Sequence, residues 1–342
     1  MINKTETEIM KNWHSYDDPI VSILGVTYNH ENYIEEAIDS FLMQETNFPF
    51  EIIIHDDASN DNTVNKIKVY AKKYPHIIKT ILQEENQYSQ GIRVLSFLFE
   101  KAKGKYYALC DGDDYWIDSK KLQIQIDLMK QNPQCYMSFH AAERRLGHDK
   151  FGNIIAKQAN RNRVFSSSEV ILGEGGFCPT ASIIISKEVA SNLPSFFNDA
   201  PVGDYFLQIF GSLNGGALYV DKVMSVYRQG VDGSWSDSMK NIDNRRKLYN
   251  DFNKTLYKLK NFLDEKYNKL YHLEMCKVIS KSHYSFALAC FNLNMFEEFK
   301  KSMELSYKTY DLGSFIYSVY YRLRSFPLLI NILKKFYSKS GS

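Results

Sequence analysis

Apolar and polar positions along the chain fall into short runs of two periods. Ile20-Val21-Ser22-Ile23-Leu24-Gly25-Val26 is short, apolar and β-branched, which predicts a buried strand. The polar turn Thr27-Tyr28-Asn29-His30 follows. From Tyr33 to Met43 the apolar residues Tyr33, Ile34, Ala37, Ile38, Phe41 and Leu42 stand at helical spacing. A second strand, Phe50 to His55, ends in Asp56-Asp57-Ala58-Ser59-Asn60-Asp61, with Ser59 or Asn60 placed to cap a helix from Thr63 to Tyr74. Ile77 to Leu82 reads as a third strand. Gly91 marks a loop, and Ile92 to Ala102 reads as a short helix closed by Gly104. A fourth strand begins at Tyr106 and runs into Asp111-Gly112-Asp113-Asp114-Tyr115-Trp116.

Strand and helix therefore alternate, with a polar turn after the first, second and fourth strands. That order predicts an α/β fold built on a mostly parallel, doubly wound sheet. Right-handed crossovers place those turns on one edge, so 27–29, Asp56-Asp57 and 111–114 are expected to converge on one crevice.

Beyond the acidic turn, Ser119 to Asn132 reads as an amphipathic helix and Cys135 to Ala142 as a strand. The stretch 147–162 is polar and basic, a loop or short hairpin. Ser166 with Glu169 offers a helix cap, 173–179 is a Gly-rich loop, and Ala181 to Ser186 is a strand. Pro201 to Leu207 opens a helix. Ala217 to Val220 and Val223 to Tyr227 read as two strands, followed by a Gly-rich loop over 228–236. From Met239 onward strand signals vanish, and Lys, Tyr, Phe and Leu recur at helical spacing. The boundary is expected near Ser238, giving an extension over 1–19, an α/β domain over 20–238 and a helical region over 239–342. His283 to Tyr307 resembles one helical hairpin of the tetratricopeptide kind, without a second copy.

Composition narrows the class. The 342 residues are 44% hydrophobic and 24% charged, values of an ordinary globular protein. Aromatics reach 14%, with 24 Tyr and 22 Phe, and aromatic platforms suit sugars and bases. A net charge of +2 gives no argument for nucleic acid. The cysteines Cys110, Cys135, Cys178, Cys276 and Cys290 form no C-x-x-C pair, so no zinc or redox motif is signalled, and the odd count fits reduced thiols in the cytoplasm. The first 18 residues lack the apolar core of a secretory signal. No run of about 18 apolar residues predicts a membrane span.

Candidate chemistry centres on the fourth strand, which delivers Asp111, Asp113 and Asp114 at its carboxyl end. Carboxylates so placed suit a hard divalent cation, at the edge where open α/β sheets bind ligands. An acidic surface turn is the plain alternative. Gly112 lets the backbone approach a bulky ligand. His30, His55 and His140 are isolated and read as structural or exposed. Gly173-Glu174-Gly175-Gly176 lacks the ending of a phosphate loop.

The order and spacing of Val21-Ser22-Ile23 to Thr27-Tyr28-Asn29, Ile54-His55-Asp56-Asp57-Ala58-Ser59, Ala102-Lys103-Gly104-Lys105-Tyr106 into Asp111-Gly112-Asp113-Asp114, and Gly203-Asp204-Tyr205 resemble the inverting glycosyltransferases of family 2. The resemblance covers Ile20 to Ser236. It implies the GT-A (Rossmann-like) nucleotide-sugar fold, a UDP-sugar donor, a saccharide or lipid-linked saccharide acceptor in cell-surface polysaccharide synthesis, and Mn²⁺ or Mg²⁺. It also implies that Val26, Thr27, Tyr28, Asn29 and Asp57 line the nucleotide pocket, with Tyr28 on the uracil ring and Asp57 accepting its N–H. Asp111 and Gly112 would lie against the donor, Asp113 with Asp111 would hold the metal, and Asp204 would be the general base. A helix cap after Gly203 is the plain alternative for Asp204, compatible with that role.

Where many relatives carry a His after the last strand, this chain has Tyr227-Arg228-Gln229-Gly230. Arg228 is placed to meet the diphosphate or to form a structural ion pair. Asp114, Trp116 and Trp235 are candidates for the sugar or acceptor site. Two other readings stay open: a nucleotidyltransferase, for which 25–30 lacks Lys or Arg to cradle a triphosphate, and a non-catalytic scaffold working through the helical region. Residues 313–342 combine Arg322, Arg324, Lys334, Lys335 and Lys339 with many apolar side chains and no acid, and Pro327 is expected to divide their helix. A peripheral membrane contact, a packing face and a homo-oligomer contact all suit that pattern.

Overall fold

The computed structural model describes residues 3–14, 18–146, 150–230, 241–326 and 329–330. The chain divides into two compact units, Met1–Asn241 and Ile242–Ser342.

The first unit is built on one mixed sheet. Strands β1 (Val21–Thr27), β2 (Phe50–Asp56), β3 (Ile78–Leu82) and β4 (Tyr106–Asp111) come first. β5 (Tyr115–Trp116), β6 (Met137–Leu146), β7 (Lys150–Ile155), β8 (Arg163–Phe165), β9 (Ile184–Ser186) and β10 (Ala217–Gln229) follow. The order is β3-β2-β1-β4-β9-β6-β10-β5, with β7 on β6 and β8 on β10. The first four strands are parallel, as right-handed crossovers through α2 (Ile34–Leu42), α3 (Thr63–Lys73) and α4 (Val94–Lys101) require. β6 and β10 also run parallel. Short antiparallel β9 joins the two halves, and β5 pairs antiparallel with β10. The remaining helices are α1 (Glu6–Met10), α5 (Lys121–Gln131), α6 (Ser167–Gly173), α7 (Lys187–Ser191) and α8 (Gly203–Ser212).

Strands covered on both faces must be apolar throughout. Val21, Ile23 and Leu24 of β1 and Ile52, Ile53 and Ile54 of β2 are all buried. Ile34, Ala37, Ile38, Phe41 and Leu42, the apolar stripe of α2, pack with Val21, Ile23, Ile52 and Ile54 on one face.

Several local expectations change. The helix over 63–73 is not capped by Ser59 or Asn60. Its N-cap is Asn62, without a side-chain cap bond, while Asp61 Oδ1 accepts the Thr63 N–H at 2.9 Å. Ser59 is occupied elsewhere, donating to Asp56 and accepting from Asn29. Gly104 does not close α4, whose C-cap is extended Ala102. A Cβ at Gly104 would lie 2.6 Å from the Ser22 nitrogen, so the glycine permits close packing on β1. The two strands expected over 217–227 are one, with register shifts between Val220 and Ser225 that absorb Asp221 and Lys222 as a bulge. The strand expected over 181–186 starts at Ile184, after a 3₁₀ turn over Thr180–Ser182. Ser166 and Glu169 do form the expected capping box.

The second unit consists of α9 (Ile242–Lys266), α10 (His272–Asn292), α11 (Phe296–Thr309) and α12 (Phe315–Arg322). Phe286, Ala287, Cys290, Phe291, Phe299, Met303, Tyr317 and Tyr320 form its core. Ser280 and Ser306 hydrogen-bond across the α10–α11 pair at 2.9 Å. Buried His283 lies between the hydroxyls of Tyr249 and Tyr257, at 2.6 and 3.2 Å. Among the described residues no helix is long and apolar enough to cross a membrane. The expected boundary at Ser238, Trp235 and Pro327 all lie outside the described residues.

Candidate active site

Register brings the acidic turns level. Thr27 of β1 stands beside Asp56 of β2, and Val26 beside Asp111 of β4. The Asp57 N–H donates to the Thr27 carbonyl at 3.0 Å, and the Gly112 N–H to the Val26 carbonyl at 2.8 Å. A Cβ on Gly112 would sit 2.8 Å from the Thr27 side chain and 3.0 Å from His30 Nδ1, so the turn between the aspartates closes only with glycine. Asn29 takes a left-handed conformation at φ 55°, which its side chain tolerates better than most. Its N–H donates to Ser59 Oγ at 2.8 Å, and its Oδ1 accepts the Asn60 N–H at 2.9 Å. These bonds lock the β1 and β2 turns together, and Tyr28 of the first is 39% exposed.

Asp57 is buried, and its carboxylate holds the loop after β3. Oδ1 accepts the Gln87 N–H at 2.8 Å and Oδ2 the Tyr88 N–H at 3.0 Å. Each carboxylate oxygen keeps a further lone pair.

Asp111 and Asp113 are partly exposed, whereas Asp114 is 2% exposed. Burial, then the charges of Asp113 and Asp204, push Asp111 up to about 7. Asp204 lies in the first turn of α8, not at its cap, which is Val202. Its Oδ1 accepts the Tyr205 N–H at 2.7 Å and its Oδ2 the Thr180 hydroxyl at 3.4 Å. Burial raises its carboxyl above the usual range, opposed by those hydrogen bonds and by the Arg93 charge. Tyr227 of β10, passed over in the sequence, is pushed up to about 12 by burial and by Asp114, Asp113, Asp111 and Asp204. One tyrosine thus feels three carboxylates of a single turn and a fourth from the first turn of α8.

Three candidates take other roles. Trp116 is 1% exposed and packs on Phe41 at 4.9 Å between ring centroids. Its indole N–H donates to the Ala181 carbonyl at 2.8 Å. It is a core residue rather than a sugar platform, because β5 turns it inward beneath the acidic turn. Asp114 accepts the Arg228 N–H and is a buried tie rather than an acceptor ligand. Arg228 is 4% exposed, with its guanidinium carbon 5.0 and 4.5 Å from the ring centroids of Tyr33 and Tyr115 and an ion pair to Glu36. That environment holds it in a structural ion pair.

Among the described residues no group of three or more His, Cys, Asp or Glu is arranged to hold a metal ion. Asp111 and Asp113 are nonetheless two like-charged carboxylates at one edge. They suit a cation whose remaining ligands come from a diphosphate and water, the usual habit of Mg²⁺.

Residues 22–191 match the sequence profile of glycosyl transferase family 2. An uncharacterized protein of Mycobacterium tuberculosis is 32% identical over 239 residues, 67% of this chain and 63% of its own length, so the chain spans less than two thirds of that relative. An Escherichia coli protein named as a UDP-Glc:α-D-GlcNAc-diphosphoundecaprenol β-1,3-glucosyltransferase is 35% identical over 121 residues, 35% of this chain and 45% of its own. In structure the chain is similar to S. aureus TarS, solved in complex with UDP-GlcNAc, with a TM-score of 0.62 at 17% identity over 84% of this chain and 81% of that one. That likeness shows a shared GT-A fold. With the profile match over 22–191, the glucosyltransferase relative and the shared fold agreeing, the chain belongs to glycosyl transferase family 2.

Proposed function

We propose that residues 20–238 form the catalytic domain of a glycosyltransferase that moves a sugar from a UDP-sugar to a hydroxyl of a saccharide or lipid-linked saccharide, with inversion, in cell-surface polysaccharide synthesis. The register that sets the acidic turn 111–114 level with the turns carrying Tyr28 and Asp57, together with the mutual charge effects of Asp111, Asp113 and Asp204, supports this reading. The E. coli relative's name supports the donor nucleotide and the lipid-linked acceptor class.

In this reading Tyr28 stacks on the base and Asp57 accepts its ring N–H through a free lone pair. Asp111 and Asp113 would hold Mn²⁺ or Mg²⁺, whose Lewis acidity would offset negative charge on the nucleoside diphosphate. Asp204 takes the proton from the acceptor hydroxyl as that oxygen bonds to the anomeric carbon. The anomeric carbon–oxygen bond to the diphosphate breaks, its electron pair leaves with the diphosphate, and one displacement inverts the centre. Residues 239–342 serve as an accessory helical region, and 313–342 bring the enzyme to the cytoplasmic face of a membrane.

The test is a panel of nucleotide sugars with and without Mn²⁺, followed by NMR of the product's anomeric proton. Metal-dependent transfer with inversion is expected; retention, or donor binding without turnover, would overturn the reading.

A further inference from the structure

We propose that Arg93 is a positioning residue that holds Asp204 in register with the nucleotide pocket, a role that rests on the reading of Asp204 as general base. The loop from 84 to 93 is tied to Asp57 near its start and reaches Gly203 and Phe197 at its end. At one end the Asp57 carboxylate accepts the N–H groups of Gln87 and Tyr88, and the Asn86 side chain donates to the Asp57 carbonyl at 3.1 Å. The 3₁₀ turn Tyr88–Gln90 then closes on Gly91 at φ 80°. At the other end stands Arg93, the N-cap of α4.

The Arg93 side chain crosses to α8. Its guanidinium carbon lies 5.5 Å from the Phe197 ring centroid. Its Nη1 stands 2.6 Å from where a Cβ on Gly203 would be. Gly203 is buried and directly precedes Asp204. The lack of a side chain there admits the guanidinium against the first turn of α8. Arg93 Nε is buried without a hydrogen-bond partner, so packing on Phe197 and Gly203, rather than a saturated ion pair, places the charge. A planar, permanently charged fork is suited to such stacking where an ammonium is not. Held against Gly203, the residue before Asp204, the Arg93 charge lowers the Asp204 carboxyl against the effect of burial without forming an ion pair with it, and its loop is anchored on Asp57. A shift in the pocket at Asp57 therefore moves the group that aims the base.

The test uses the full chain with Mn²⁺ and UDP-glucose, UDP-GlcNAc or dTDP-glucose, carrying forward the donor that wild type hydrolyses fastest. Titration calorimetry with UDP and thermal melting are run alongside. Arg93→Met should lower kcat about tenfold to a hundredfold, the scale of a misaimed catalytic group, with UDP affinity and Tm retained. Arg93→Lys should recover part of the loss. Gly203→Ala, whose methyl displaces Nη1, should lose as much with the charge still present, and the double variant should be no worse than either single one. Unchanged kcat in Arg93→Met, a loss confined to UDP affinity, or additive losses would overturn the inference. Asp204→Asn is the control. If it keeps kcat, or if wild type hydrolyses none of the donors, the base reading falls. If it is inactive while Arg93→Met is not, only the role of Arg93 falls.

Discussion

The carboxylate of Asp114 accepts the backbone N–H of Arg228 at 2.9 Å. Arg228 returns the contact, its Nη1 donating to the Asp113 carbonyl at 2.7 Å. The turn after β4 is thereby stitched to the end of β10, 114 residues later in sequence. Of three acids in a four-residue turn, the buried one holds the turn and the other two stay at the crevice. Burial and the charges of Asp113 and Asp111 raise the Asp114 carboxyl well above its usual range, with the Arg228 N–H and guanidinium opposing them.

The acids of this turn should therefore separate on mutation. Asp113→Ala should abolish transfer with Tm unchanged. Asp114→Ala leaves a buried N–H unpaired and should cost about 1–3 kcal/mol of stability. Paired melting curves and transfer assays check this, and equal Tm losses in both variants would contradict it.

Asp204→Asn is nearly isosteric but cannot take a proton. The rate should fall about a hundred- to ten-thousandfold, with donor affinity retained. Because burial raises the Asp204 carboxyl, and only the ionised form is a base, the wild-type rate should rise with pH along a limb above the ordinary carboxylate range. A pH profile of kcat that lacks this limb in wild type, or keeps it in the variant, argues against the assignment.

Trp116→Ala tests its place in the core. Truncating a buried Trp typically costs about 3–5 kcal/mol, and here the indole N–H bond to Ala181 is lost as well. Chemical denaturation should show that loss. A variant of wild-type stability but weakened sugar affinity would restore the platform reading.

In the helical unit, burial lowers His283 from 6.5 to about 4. The unfolded chain therefore binds a proton in a window where the folded chain does not, and stability falls as pH drops from about 6.5 toward about 4. The slope approaches about 1.4 kcal/mol per pH unit, for a total near 3 kcal/mol. Urea titrations at pH 7 and pH 4.5, with His283→Gln as the comparison, should show a smaller pH dependence in the variant.

Phe315, Ile316 and Phe326 are 72%, 63% and 60% exposed, in a segment whose charged side chains are all basic. Flotation with anionic liposomes should recover the wild-type chain at low salt, because each well-placed cation adds about 1 kcal/mol. Phe315→Ser/Ile316→Ser/Phe326→Ser should stay behind. Equal recovery of both chains would assign the segment to another role.

By itself the sequence determined whatever depends on local period. The runs at 21–27, 50–56 and 106–111 read as buried strands, and alternation with helices predicted the parallel order and the shared edge of their polar ends that the register shows. The change to helical spacing after Met239 likewise announced the second unit's helices. Tertiary structure alone decided which side chains at that edge remain available for chemistry. Asp113 and Asp114 are adjacent and chemically identical, yet a partner from β10 buries one of them. Arg228 joins a cage formed by Glu36, Tyr33 and Tyr115, while Arg93, unremarkable in a short helical run, lies across Gly203. Periodicity reports how a residue faces its own element. Whether a charge is free, paired or buried depends on contacts made across the whole chain, and no local pattern encodes them.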